Sequence, residues 1–164
     1  DNMTDQLCAI GLTASGDHPQ RATALADFYA RWQHEALVVD KWFALQAGSP
    51  RPDALARVRV LMSHPAFTMR NPNKVRALIG AYCNANPVRF HAADGSGYDF
   101  LAEQVLALDA LNPQIAARML GALTRWRQYE AGRQACIRAA LERVLARPAL
   151  SPDVYEIASK ALAG

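Results

Sequence analysis

Proline sets the terms on which this chain can fold. Inside a helix it removes a hydrogen bond and clashes with the preceding turn, yet at the first helical position it fits without cost. The nine prolines, Pro19, Pro50, Pro52, Pro65, Pro72, Pro87, Pro113, Pro148 and Pro152, all stand between helix-like stretches or at the start of one. Those stretches are 21–32, 35–47, 53–63, 73–84, 98–110, 114–129, 132–146 and 153–162, each with apolar residues at three- and four-residue spacing. No segment reads as a strand. The expectation is an all-α chain of about eight helices.

Two of the helix starts repeat each other. Asn71-Pro-Asn-Lys-Val-Arg-Ala-Leu-Ile-Gly-Ala-Tyr82 aligns with Asn112-Pro-Gln-Ile-Ala-Ala-Arg-Met-Leu-Gly-Ala-Leu123 at an offset of 41 residues, and Ser151-Pro-Asp153 opens a third helix 39 residues later. Stacked two-helix repeats of the HEAT and armadillo kind have such a period, because each pair must bury its apolar face against a neighbour. The expected architecture is a single domain, 1–164, wound as a right-handed α-α superhelix of antiparallel helix pairs. Asn71 is expected to cap its helix, since its side-chain carbonyl can accept a free first-turn N–H. Val75, Ile79 and Tyr82 then form the apolar stripe, with Arg76 on the same face as Gly80 and Asn73 one turn back. Gly80 and Gly121 fall inside helical stretches, where glycine costs about 1 kcal/mol relative to alanine. That cost implies a close neighbour or a face opening on a cavity. Trp32 and Trp42 are expected to lock the first two of these helices together.

Composition narrows the function. Although 51% of residues are hydrophobic, no apolar run approaches the ~18 residues of a membrane span, so a soluble, cytoplasmic protein is expected. The opening Asp1-Asn-Met-Thr-Asp5 resembles no signal peptide and does not start with Met, which reads as a piece of a longer polypeptide. Cys8, Cys83 and Cys136 are odd in number and widely spaced in apolar helical context, as expected of buried thiols in a reducing compartment. The net charge is +3, and the arginines from Arg118 to Arg147 are interleaved with alanine and leucine. That pattern suits a solvated helix face, and no nucleic-acid partner is expected.

Self-sufficient chemistry is hard to find. His34-Glu-Ala-Leu-Val38 has valine where a zinc-protease helix needs its second histidine, and His18, His64 and His91 lack partners at ligand spacing. No metal site is expected. Asp94-Gly-Ser-Gly97 lacks the ending of a phosphate loop and reads as a turn before the helix at Tyr98. There is no nucleophile elbow, so no catalytic residue is assigned. Arg76 and Arg118 lie in the first two turns of their helices, where a cation opposes the helix dipole. Gln114, Arg118, Gly121 and Arg125 share a stripe that can present an amide and two guanidinium groups to a carboxylate-bearing ligand. A solvated face with incidental ion pairs accounts for the same residues.

Asp40-Lys-Trp-Phe-Ala-Leu-Gln-Ala47, Phe67-Thr-Met-Arg-Asn-Pro-Asn73, Phe90-His-Ala-Ala-Asp-Gly-Ser-Gly-Tyr98 and Asn112-Pro-Gln114 together resemble the C-terminal helical domain of the bacterial aminopeptidase N family. The resemblance continues through Tyr155 to Lys160-Ala-Leu-Ala163. It implies a gluzincin aminopeptidase that removes N-terminal residues from peptides, whose catalytic domain and zinc lie upstream of Asp1. This chain would then be the non-catalytic part that closes over the active site, lines an internal cavity and limits access. The resemblance places Gln114 at the border of the pocket for the substrate's first side chain, and Arg76 and Arg118 in the cavity. It implies peptide substrates as partners, no cofactor in this chain and zinc in the full-length enzyme. Two other readings stand beside it: a free-standing α-solenoid scaffold for proteins and a basic helical repeat for nucleic acid.

Overall fold

Asn71, Asn112 and Ser151 each follow a turn, take an extended backbone and cap a helix beginning at the next proline. In the computed structural model, which describes residues 2–164, Asn71 Oδ1 accepts the Asn73 N–H at 2.9 Å, Asn112 Oδ1 that of Ile115 at 3.1 Å, and Ser151 Oγ that of Val154 at 3.2 Å. The repeated starts are therefore real caps. No strand occurs among the described residues, and the all-α expectation holds.

The chain divides into two compact units, residues 1–89 and 90–164. The first contains α1 (Met3–Ser15), α2 (Arg21–Trp32), α3 (Ala36–Ala47) and α4 (Ala54–Leu61). A longer helical run follows: α5 (Pro72–Val75), a π-helical turn (Arg76–Gly80) and α6 (Ala81–Ala85). Helix α3 is central because both its flanks are apolar: Val38, Val39, Trp42, Phe43 and Ala47 are all buried. It packs against α1, α2, α4, the π turn and α6. Its buried amide Gln46 donates to the Trp42 carbonyl, while Asn86 donates to the Ala47 and Ser49 carbonyls at 2.8 and 2.7 Å. The Asn86 bonds satisfy the Ala47 carbonyl, which the helix leaves unpaired, and the Ser49 carbonyl just beyond it.

A short helix, α7 (Pro87–Phe90), leads into the second unit, which holds α8 (Ser96–Asp109), α9 (Pro113–Leu120), α10 (Ala131–Leu145) and α11 (Pro152–Ala163). Here α8 packs on α9 and α10, and α11 packs on α9 and α10. Phe100, Leu101, Leu108, Leu120, Leu141 and Val154 are fully buried. The turn before α8 is structural, as expected. Asp94 Oδ1 accepts from the Ser96 N–H and hydroxyl, and Gly95 takes φ +77°, which a side chain rarely tolerates.

Several expectations are corrected. Helix α1 is missing from the delimited stretches, although Cys8 was placed in helical context, because no proline marks its start. Trp42 locks α3 to α2 as expected, but Trp32 ties α2 to α1 instead. Trp32 Nε1 donates to Gln6 Oε1 in α1 at 3.1 Å, and Trp42 Nε1 donates to the Leu25 carbonyl in α2 at 3.0 Å. The stretch 114–129 is not one helix: α9 ends at Leu120, and tight turns at Gly121–Leu123 and Trp126–Gln128 follow. That break lets buried Trp126 donate to the Ala161 carbonyl at 2.8 Å. Gly121 is therefore a helix end, and a β-carbon there would meet nothing within 4 Å. Cys83 is buried, but Cys8 is exposed.

Candidate functional site

Arg76 owes its position to the π turn. Ala81 N–H reaches back five residues to the Arg76 carbonyl, so the turn is wider than an α turn and Arg76 is turned away from Gly80. Leu78, Ile79 and Gly80 are consecutive and buried, while Arg76 is exposed. The expectation that Arg76 and Gly80 share a face is thereby overturned. Val75, Ile79 and Tyr82 remain the buried stripe. π turns of this kind occur often at functional sites.

The guanidinium of Arg76 is held by its own helix. Nε donates to the Pro72 carbonyl at 3.4 Å, and a terminal nitrogen donates to Asn73 Oδ1. Arg76 and Asn73 border an open depression of about 430 Å³ whose other wall is the outer face of α3: Leu37, Asp40, Lys41 and Ala44. Beneath it, Lys74 Nζ pairs with Asp40 Oδ1 at 2.6 Å and contacts the Ala36 carbonyl, and both side chains are largely buried. Lys41 is exposed and forms no ion pair among the described residues. Lys41 and Leu37 were not singled out from sequence. The signal available was their spacing of four, which puts both on one helical face.

Gln114 and Arg118 also lie four apart, on the exposed face of α9, while Ala116, Met119 and Leu120 face the core. Neither side chain has a hydrogen-bond partner among the described residues. Arg76 stands in the first unit, Gln114 and Arg118 in the second. Arg125 does not continue their stripe, because the helix has ended before it.

The polar cluster around His91 is structural. His91 lies between two phenols, with Nδ1 2.8 Å from the Tyr98 hydroxyl and Nε2 3.1 Å from that of Tyr129. Burial, and then the nearby charge of Arg133, hold its pKa below the ordinary histidine value. Arg133 itself donates to the His91 carbonyl at 2.7 Å. Burial pushes the Cys83 thiol far up, which makes it a poor nucleophile. Among the described residues, no three His, Cys, Asp or Glu side chains are grouped to hold a metal ion, and no helix is long and apolar enough to cross a membrane.

A family model described as "Domain of unknown function (DUF3458_C) ARM repeats" matches residues 1–163. The chain is 46% identical over 163 residues to aminopeptidase N of Escherichia coli (strain K12), covering 99% of this chain and 19% of that protein. It is 48% identical over 162 residues to aminopeptidase N of Caulobacter vibrioides, covering 98% of this chain and again 19% of the relative. Among solved structures, Legionella pneumophila aminopeptidase A in complex with aspartic acid superposes with a TM-score of 0.94 at 35% identity, over 99% of this chain and 19% of that one. The chain thus spans about 19% of the length of the relatives it matches.

Proposed function

The chain belongs to the ARM-repeat family described as DUF3458_C, and on that footing we propose that it is the non-catalytic C-terminal part of a zinc aminopeptidase that removes N-terminal residues from peptides. The observation that carries this reading is identity of 46% and 48%, along nearly the whole chain, to two proteins named aminopeptidase N. In this reading the chain covers the active site, lines the cavity that peptides enter and contributes to substrate access and binding. The zinc and the catalytic groups belong to the rest of the polypeptide, and the assembly works in the cytoplasm.

Three residues carry the substrate role. Gln114 offers an unpartnered amide beside the pocket for the first side chain. Arg118, one turn on, and Arg76, propped by Asn73, offer guanidinium groups to downstream carbonyls or to the C-terminal carboxylate, which guanidinium binds bidentately. An arginine held this way loses less side-chain freedom on binding than one free in solvent.

In the full-length enzyme, Arg76→Ala and Arg118→Ala are each expected to lower kcat/KM for peptides roughly ten-fold or more, as loss of a charge-assisted hydrogen bond would. Aminoacyl anilides, which lack downstream residues, should be spared. Unchanged kcat/KM across peptides of several lengths would remove both arginines from substrate handling.

A further inference from the structure

A cavity in the first unit lies outside everything assigned so far. It measures about 530 Å³, within the range of small-molecule sites, and contains none of Arg76, Gln114 and Arg118. Three rings meet at its wall. Tyr29 and Trp42 have centroids 5.0 Å apart, and His64 stands edge-on to Tyr29 at 4.6 Å and 5.2 Å from Trp42. Leu25 and Leu61 complete an apolar lining. Trp42 Nε1 is already bonded to the Leu25 carbonyl, so the indole contributes only its apolar surface.

The polar groups in this wall are few, and most are fixed from behind. His64 Nδ1 accepts the Ala66 N–H at 3.1 Å, which sets the tautomer and leaves the ring proton on Nε2. Burial lowers the pKa of the imidazole, which favours its neutral form. Arg57 Nε donates to Oε1 of Gln46, a fully buried amide anchored in turn on the Trp42 carbonyl. A buried glutamine is costly unless bonded, and here its bonds aim an arginine. The terminal nitrogens of Arg57, Nε2–H of His64 and the Tyr29 hydroxyl have no partners among the described residues.

We propose that this cavity binds a small arylalkanoic monocarboxylate, its ring against Tyr29 and Trp42 and its carboxylate on Arg57, with the His64 N–H as a further donor. A single guanidinium beside a neutral imidazole complements one negative charge. A cationic ligand would meet Arg57 as a like charge, and a neutral hydrocarbon would leave that guanidinium unpaired.

The test uses the full-length polypeptide, indole-3-propionate as probe and indole-3-propionamide as its uncharged counterpart, with calorimetric titration. Saturable binding of the acid is expected, about ten-fold or more weaker for the amide and for Arg57→Gln. Val60→Trp should abolish it without lowering Tm, because Val60 lines the cavity yet is 62% exposed. Equal affinity for acid and amide, binding that survives Val60→Trp, displacement of the probe by peptide substrate, or no saturable binding would each overturn the assignment. So would a structure of the full-length polypeptide with one of its own segments seated in the cavity.

Discussion

A β-carbon at Gly97 would lie 2.1 Å from the carbonyl oxygen of Phe90, whereas one at Gly121 would meet no atom within 4 Å. Backbone stands against Gly97 and cannot turn aside as a side chain can. Gly97→Ala is therefore expected to destabilise the chain by roughly 3 kcal/mol or more, while Gly121→Ala is neutral or stabilising by about 0.5 kcal/mol. Denaturant midpoints at constant m-value measure both. Gly121 was placed inside a helix because the apolar spacing of 114–129 runs on past the helix end at Leu120. A shared pattern records a common helix start, but whether a neighbour crowds the glycine depends on tertiary contacts that local spacing does not encode. That Gln114 and Arg118 share a face was legible for the opposite reason, since the i, i+4 relation is fixed by the helix alone.

Element boundaries follow the same division. The caps at Asn71, Asn112 and Ser151 could be read directly, because capping and the proline that follows are local chemistry. The π turn at Arg76–Gly80 could not. Its residues keep an ordinary helical pattern, and the wide turn becomes evident only where Leu78, Ile79 and Gly80 are all buried in succession. The same run is tied to α3 by Lys74 and Asp40, with side chains 11% and 19% exposed. Removing one partner strands the other charge in a poorly solvated place. Asp40→Ala should cost about 3 kcal/mol, and the double variant Asp40→Leu with Lys74→Met should recover most of it. Thermal or chemical denaturation of the two variants checks the pair. Similar losses in both would mean that shape, not stranded charge, sets the cost.

At the scale of the molecule, helix starts recur at Pro72, Pro113 and Pro152, and the ARM-repeat family model matches residues 1–163. Repetition made the fold class readable, because each repeat must solve the same burial problem. The repeat could not show what the exposed faces meet, since a solvated arginine and a ligand-binding one have the same helical spacing. The central claim is that the exposed polar faces of Pro72–Gly80 and Pro113–Leu120 meet the substrate peptide. Photo-crosslinking tests it most directly, using the full-length enzyme and a peptide that carries a benzophenone near its C-terminus. Mass spectrometry should find the label within 72–80 and 113–120, with competition by unlabelled peptide. Saturable, competed labelling that falls wholly outside those segments would contradict the account.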